Sequence, residues 1–235
     1  MHEVLRAFFS PRDFRVALPD VWAGFQLNLK LMVVSEALVL VLALTIAIVR
    51  GLPGRGAKPL RALAIVYTDI FRGTPLILVA FLVGFGFPGL RMEFISTRSN
   101  FTYGVIALTA VYTAYVTEVY RAGIESVHPS QRMAARSLGL SYWQSMRYVV
   151  IPQAVRRVIP PLLNDFVGLQ KDTALVTVIG VAEAAQQAQD YSQTYFNFTS
   201  YVVAAVFFIL LTIPLARFTD HLIALRERRE RAQAT

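Results

Sequence analysis

The stretch QRMAARSLGLSYWQSMRYVVIP, residues 131–152, combines a short basic helical pattern with clear helix-end signals in an otherwise apolar chain. Ser130 is placed to cap the N-terminus of a helix that runs from Gln131 to Leu138. Gly139 then supplies the left-handed conformation that commonly ends a helix. A helix of about two turns is too short to be stable alone, so we expect it to pack against another part of this protein or against a partner.

The residues that follow predict a second helix. Ser141 and Gln144 have the spacing of a capping box, and the helix that they open is expected to end at a break near Pro152. The first helix has two interpretations. It either links two membrane segments, or its small residues Ala134 and Ala135 let another protein approach its backbone, as in helix-in-groove docking.

The composition is typical of a membrane protein. Of 235 residues, 55% are hydrophobic, and they occur in blocks long enough to cross a bilayer. The formal net charge is +8, but the arginines are concentrated in particular loops, as membrane orientation signals are, so no nucleic-acid partner is expected. The chain has no cysteine, and its three histidines show no ligand spacing. We therefore predict no metal site and no catalytic residue.

The apolar blocks predict an all-α, polytopic membrane protein with five transmembrane helices. A polar tail of mixed charge, residues 1–24, precedes them and lacks a signal-peptide pattern. The predicted transmembrane domain covers residues 25–222, with a coupling loop at about 128–152, and residues 223–235 form a basic tail. The five blocks are Phe25–Val49, Leu60–Phe87, Phe101–Tyr120, Gln153–Gln170 and Phe198–Thr219.

The charges between the blocks predict the orientation. The loops at 50–61 and 121–157 and the C-terminal tail are basic, whereas the 88–100 loop is mixed and the 171–197 segment is acidic on balance. Because basic loops stay in the cytoplasm, we predict an external N-terminus, a cytoplasmic C-terminus and a cytoplasmic location for the short helix at residues 131–138. Residues 176–190 predict a short helix, which either lies along the outer membrane surface or is an ordinary loop helix.

The spacing of small residues in the cytoplasmic loop resembles the signature of ABC importer permeases. In that family the pattern is Glu-Ala-Ala, three residues, Gly, nine residues and Ile-x-Leu-Pro. The same spacing runs here from Met133 to Pro152, with Gly139 in the central position, although Met133 stands where the family has Glu. The resemblance implies that this helix couples the chain to an ATPase through Met133, Ala134, Ala135, Arg136, Leu138 and Gly139.

Further stretches are similar to the polar amino-acid uptake branch of these permeases: YTDIFRGTPLILVAFLVGFG (67–86), TEVYRAGIESVHPSQ (117–131) and LLNDFVGLQKDTALVTVIGVAE (162–183). The resemblance covers most of residues 22–222 and implies a multi-pass permease of the bacterial plasma (inner) membrane that carries polar amino acids. It implies as partners the ABC ATPase subunits, a second permease chain of the same or a related kind, an extracytoplasmic solute-binding protein and membrane lipids. ATP and magnesium would be bound by the partner ATPase, since GLPGRGAKP (51–59) lacks the P-loop spacing.

The sequence FRGTP, residues 71–75, predicts a break in the second block near the middle of the membrane. Gly73 and Pro75 interrupt the helix, and Thr74 is placed to cap a half-helix whose N-terminal amides attract anions. Arg72 adds a positive charge for an amino-acid carboxylate. Alternatively, the helix is only kinked and Arg72 pairs with the acid three residues before it. The predicted substrate-path residues of this segment are Thr68, Asp69, Arg72, Gly73 and Thr74.

Acidic residues inside the blocks are candidates for the ammonium end of an amino acid, because ionisable groups in a membrane are commonly functional. Asp165, with Asn164 beside it, lies in the fourth block, and Glu36 lies near the centre of the first. Glu36 either lies near the substrate route, where it neutralises Arg72 or receives the ammonium group, or makes a buried structural hydrogen bond.

Two other groups of polar and charged residues have a structural interpretation, and the second group also has a functional one. Glu118 is expected to pair with Arg121 one helical turn later. At the predicted outer mouth, Lys171, Asp172 and Thr173 either cap helix ends or meet the incoming solute.

The leading prediction is a transport subunit that is not an enzyme. One alternative is a secondary amino-acid carrier driven by an ion gradient, but the odd helix count and the lack of internal repeats are not typical of such carriers. The other is an intramembrane enzyme, which would need paired catalytic groups at one depth. Only Glu36, Asp69 and Asp165 offer such groups.

Overall fold

A computed structural model describes residues 2–52, 54–90 and 98–234, with side chains from residue 3 to residue 225 inside those ranges. The mixed charge predicted for the 88–100 loop therefore lies mainly outside the described residues, as do the side chains of the basic tail from residue 226 onward. All regular secondary structure in the described part of the chain is helical.

Eleven α-helices are described. They are α1 (His2–Phe8), α2 (Pro11–Gly51), α3 (Lys58–Gly73), α4 (Leu76–Phe81), α5 (Phe87–Gly89), α6 (Asn100–Glu125), α7 (Pro129–Ser137), α8 (Tyr142–Ser145), α9 (Ile151–Asp172), α10 (Ala184–Tyr195) and α11 (Thr199–Ala234). Two π-helical turns, Leu82–Gly86 and Met146–Val150, connect α4 to α5 and α8 to α9, and a 3₁₀ helix, Thr173–Ile179, follows α9.

Two or three stretches of the described chain are long and apolar enough to cross a membrane. Two such stretches are found among the described residues, Glu3–Gly51 and Thr199–Leu225. The helical segments Lys58–Gly73 and Leu76–Gly89 are bent by 106° at the break between them, and they make a third candidate if they form one span. The helices α6 and α9, of 26 and 22 residues, are not among these candidate spans. The all-helical fold is thus confirmed, while the count of five spans and the orientation of the termini stay predictions.

The helix predicted at 176–190 is placed differently in the structure. Its first residues belong to the 3₁₀ helix, which ends at Gly180 in the left-handed conformation, with φ of 75°. The α-helix begins only at Ala184 and continues to Tyr195. The prediction missed this boundary because the tight turn at Gly180 divides one continuous apolar pattern into two elements.

The chain divides into two compact units. The first comprises residues 1–38, 74–111 and 167–218, and the second comprises residues 39–73, 112–166 and 219–235.

The first unit packs α2 against α10 and α11. Phe25 stacks on Phe207 with ring centroids 5.3 Å apart and meets the ring of Phe208 edge-on at 5.4 Å. Gly24 lets the backbones approach, because a Cβ there would lie 2.6 Å from the carbonyl carbon of Glu183. Small residues at this crossing therefore determine how closely α2 and α10 pack.

A buried polar cluster fixes the start of α10 in the same unit. The Glu183 side chain accepts the Ala185 and Gln186 amides at the N-terminus of α10. The Asn28 amide donates to Glu183 at 2.9 Å, and its oxygen accepts the Ala184 amide at 3.0 Å. Burial raises the pKa of the Glu183 carboxyl, although these donors favour its charged form.

The second unit contains a chain of ion pairs. Glu118 accepts from Arg50 at the end of α2 and from Arg121, which lies 2.7 Å away one turn further along α6. Arg121 also pairs with Glu125. The predicted Glu118–Arg121 pair is confirmed, and Arg50 extends it to a second helix.

Candidate functional site

The predicted helix break is present. The helix α3 ends at Gly73 and α4 begins at Leu76. Pro75 occupies the N-cap position and makes no side-chain capping bond, so the half-helix begins at Leu76, one residue later than predicted. The reason is that Pro75, with φ of −57° and ψ of 136°, is extended and delays the helix by one residue.

A cavity of about 410 Å³ lies within the second unit, at the end of α3 and between α6 and α9. Its volume falls in the range of roughly 300–1,000 Å³ that is common for small-molecule sites. It is lined by Arg72, Tyr115, Glu118, Val119, Ala122, Gly123, Ser126, Arg157, Pro161 and Asp165.

Opposite charges face this cavity. The Arg72 guanidinium carbon lies 6.0 Å from the ring centroid of Tyr115, and the Tyr115 hydroxyl donates to the Arg72 carbonyl at 3.5 Å. Asp165 is half-buried, and its Oδ2 atom has no hydrogen-bond partner among the described residues. An unpaired buried carboxylate oxygen is costly, so it is suited to receive a donor from a ligand.

The other charged residues of the cavity are already engaged. Glu118 is neutralised by Arg50 and Arg121. Arg157 of α9 donates to the carbonyl of Ser126, in the segment that leads from α6 to α7. Arg72, Arg157 and Asp165 are thus the lining charges without an ion-pair partner in the described part of the chain, and of the two arginines Arg157 is held by a backbone carbonyl.

Of the residues predicted for the substrate path, the structure brings Arg72 and Asp165 together. Four others belong to the same unit without lining the cavity: Thr68, Asp69, Gly73 and Asn164. Thr68 is buried and accepts from Arg50 at 3.1 Å. No ion pair joins Arg72 to Asp69 within the described ranges. The alternative in which the helix is only kinked and Arg72 pairs with Asp69 is therefore not supported. Glu36, which is half-buried, and Thr74 belong to the first unit.

Sequence reasoning missed several lining residues. Arg157 was interpreted only as an orientation charge, and Tyr115 carried no signal beyond its aromatic type. The spacing along α9 is a signal that could have found Arg157, because Arg157, Pro161 and Asp165 recur every four residues and so share one face of the helix. The facing side of α6 contributes the lining residues Tyr115, Glu118, Val119, Ala122 and Gly123, and Ser126 follows the end of that helix.

The three residues predicted at the outer mouth have different environments. Thr173 is buried, where its hydroxyl accepts from Asn28 at 3.1 Å and donates to the Gln170 carbonyl at 2.7 Å. Asp172 precedes the 3₁₀ helix without a side-chain cap, and Lys171 is exposed. Thr173 therefore has a structural role.

The predicted coupling helix is α7, followed by Gly139 in the left-handed conformation with φ of 83°. Its N-cap is His128, whose Nδ1 accepts the Ser130 amide at 3.2 Å, so the predicted cap by Ser130 is wrong. The helix begins earlier because Pro129 has the fixed φ that suits a first helical position.

The exposed face of α7 differs from a purely small-residue surface. Ala135 is only 4% exposed and faces the protein, whereas Leu138 is 84% exposed. Met133, Ala134, Arg136 and Gly139 are also exposed. The surface available to a partner is therefore apolar and basic.

The predicted capping box after this helix is confirmed. The Ser141 amide donates to Gln144 at 2.8 Å, and the Gln144 amide donates to the Ser141 hydroxyl at 3.2 Å. The predicted break near Pro152 is wrong, because the chain remains helical from Tyr142 to Asp172. A π turn at Met146–Val150 precedes Pro152 and accommodates its missing amide donor.

Comparisons with known proteins agree with this architecture. Residues 40–227 match the family described as binding-protein-dependent transport system inner membrane component. The chain is 37% identical over 202 residues to the probable glutamine ABC transporter permease protein GlnM of Bacillus subtilis, covering 85% of this chain and 89% of that protein. It is 34% identical over 202 residues to the glutamine transport system permease protein GlnP of Escherichia coli, with coverages of 85% and 90%.

Solved structures show the same fold. The crystal structure of an amino acid ABC transporter with histidines matches with a TM-score of 0.79 and 35% identity, covering 90% of this chain and 94% of that one. An inward-facing methionine ABC transporter, MetNI, matches with a TM-score of 0.72 at 17% identity, covering 87% and 95%, which supports the fold alone. The chain therefore belongs to the family of binding-protein-dependent transport system inner membrane components, and it is an ABC importer permease subunit of the bacterial plasma membrane.

Proposed function

We propose that this permease carries polar amino acids, and that the cavity of the second unit is a binding site on their transport path. One observation carries the proposal: Arg72 and Asp165, of opposite charge and without an ion-pair partner in the described residues, face the same cavity. A zwitterion offers complementary groups. Arg72 would bind the carboxylate, and Asp165 would bind the ammonium group.

The rest of the machinery follows from this assignment. The chain spans the membrane five times, with an external N-terminus and a cytoplasmic C-terminus. It works with a second permease chain, identical or related, and with an external solute-binding protein that selects the amino acid. It provides no ATP site, because ATP and magnesium belong to cytoplasmic ATPase subunits that dock on the exposed face of α7.

The test uses the permease assembled with its ATPase and binding protein in proteoliposomes. ATP-driven uptake of radiolabelled glutamine, glutamate and arginine identifies the substrate. Arg72→Gln and Asp165→Asn should each reduce uptake at least tenfold while the assembled complex is recovered in normal yield. The matched control is Glu125→Gln, which removes an exposed charge from α6 outside the cavity and should leave uptake unchanged. Normal uptake by both cavity variants would contradict the assignment.

A further inference from the structure

An exposed apolar surface covers one corner of the first unit. We define it as the aromatic corner, formed by α1 and by the link from α10 to α11. Along α1 the apolar residues Val4, Leu5, Phe8 and Phe9 follow one another at helical spacing and are all exposed, whereas Glu3 and Arg6 take the opposite face. This short element is therefore amphipathic, and its apolar face is left uncovered within the unit.

The α10–α11 link contributes the most exposed aromatic ring of the corner. Phe196 is 87% exposed and follows α10 with φ of 53°, the left-handed conformation that helix ends normally give to glycine. A side chain in this conformation is strained, because its Cβ lies too close to the following carbonyl oxygen. Neither folding nor solubility in water favours a phenylalanine at this position, so an external apolar contact is the physical reason for it.

The two halves of the corner are held together by specific contacts. The Asn197 amide donates to the Arg6 carbonyl at 2.9 Å, and the Phe198 amide donates to the Ala7 carbonyl at 2.8 Å. The Phe8 and Phe198 rings stack with centroids 5.2 Å apart. The exposed rings are thus presented by a preformed structure.

The corner continues directly into the start of a candidate membrane span. Phe198 stacks with Tyr201 in the first turn of α11, at 6.4 Å between centroids, and the candidate span begins at Thr199. The Thr199 hydroxyl also accepts the Ser10 amide at 3.1 Å, which places the start of α2 beside the start of α11. Aromatic residues at such span ends commonly lie at the boundary between headgroups and hydrocarbon.

We propose that the aromatic corner is an interfacial membrane anchor, in which the apolar face of α1 and the Phe196 ring insert into the lipid interface beside the start of α11. The partner is a lipid surface, because the apolar patch is continuous with the start of a candidate membrane span. This anchor is independent of the proposed transport cavity, which lies in the second unit.

The absence of cysteine makes the test direct. Phe9→Cys and Phe196→Cys would be spin-labelled in the full-length chain, reconstituted into phosphatidylcholine vesicles containing some phosphatidylglycerol. Gln193→Cys, on an exposed polar position of α10, is the matched control. The labels at 9 and 196 should collide several-fold more with oxygen, relative to a water-soluble nickel complex, than the label at 193.

If the labels at 9 and 196 are as accessible to nickel as the control, the corner faces water and the proposal is overturned in favour of a protein partner. A second variant separates insertion from folding. Phe196→Gly should leave the Tm in detergent unchanged or raise it, because glycine relieves the left-handed strain. In vesicles it should reduce the oxygen preference of the label at position 9. A lowered Tm would instead make Phe196 a packing residue and contradict the proposal.

Discussion

Arg50, near the end of α2, donates a hydrogen bond to Glu118 of α6, although 68 positions separate the two residues in the chain. The same carboxylate accepts from Arg121, so one acid joins two arginines beside the cavity. The Glu118 side chain is only 16% exposed. Because water solvates its charge poorly, the carboxylate needs the two arginines as counter-charges, and Arg50 needs the carboxylate.

Replacing this acid should destabilise the second unit. Glu118→Gln leaves the poorly exposed Arg50 without a counter-charge, and we expect a loss of about 3–5 kcal/mol, measured by thermal unfolding in detergent. The control is Glu125→Gln, since Glu125 is 60% exposed and its ion pair with Arg121 should contribute less than about 1 kcal/mol. Equal effects of the two substitutions would show that the Arg50–Glu118 contact has no special weight.

Gly24 should tolerate no side chain. A Cβ would lie 2.6 Å from the backbone of Glu183, which has no flexible end that could move aside. Gly24→Ala should therefore lower the Tm of the purified permease clearly. Gly86→Ala is the comparison, because no atom of the described residues lies within 4 Å of a Cβ there, and its Tm should stay the same or rise. A wild-type Tm for Gly24→Ala would mean that α2 and α10 separate easily.

Gly123 lies where α6 meets α9 beside the cavity. A Cβ would come within 2.1 Å of a Val158 methyl carbon, so Gly123→Ala should force α6 and α9 apart and reduce transport. The double variant Gly123→Ala/Val158→Ala should recover part of the lost activity, because the clash involves that side chain. If Val158→Ala gives no rescue, the loss has a cause other than this contact.

Gly139 should be needed for its backbone conformation and not for space, since a Cβ there would meet no atom of the described part of the chain within 4 Å. Gly139→Val at φ of 83° is strained, whereas Gly139→Asn enters the left-handed region more readily. We expect the valine variant to lose most substrate-stimulated ATP hydrolysis although the assembled transporter is recovered in normal yield, and the asparagine variant to keep most of it. Similar rates of ATP hydrolysis in both variants would show that coupling to the ATPase does not require a left-handed backbone at position 139.

Glu36 tests whether a charge in the first unit takes part in transport. If the carboxylate charge is needed, Glu36→Gln should abolish uptake while the amount of membrane-inserted protein stays normal. A structural hydrogen bond should survive the amide substitution and fail only in Glu36→Leu. Uptake at the wild-type level in both variants would contradict both hypotheses.

The sequence by itself determined the features that depend on local periodicity and helix ends. The apolar blocks predicted an all-helical membrane protein, Gly139 predicted a left-handed helix end, and the Ser141–Gln144 spacing predicted a capping box. Each of these features is set within a few residues, where backbone sterics and short hydrogen bonds decide the outcome. The order of the motifs along the chain also indicated the permease family.

Only the tertiary structure decided which charged residues meet. Arg72 and Asp165 were both candidates, but their common cavity depends on how α3, α6 and α9 pack, and so does the neutralisation of Glu118 by Arg50. The burial of Ala135 and the continuous helix through Pro152 were likewise hidden from local patterns. Contacts between residues far apart in sequence arise from packing, and packing leaves no periodic signal in a single sequence.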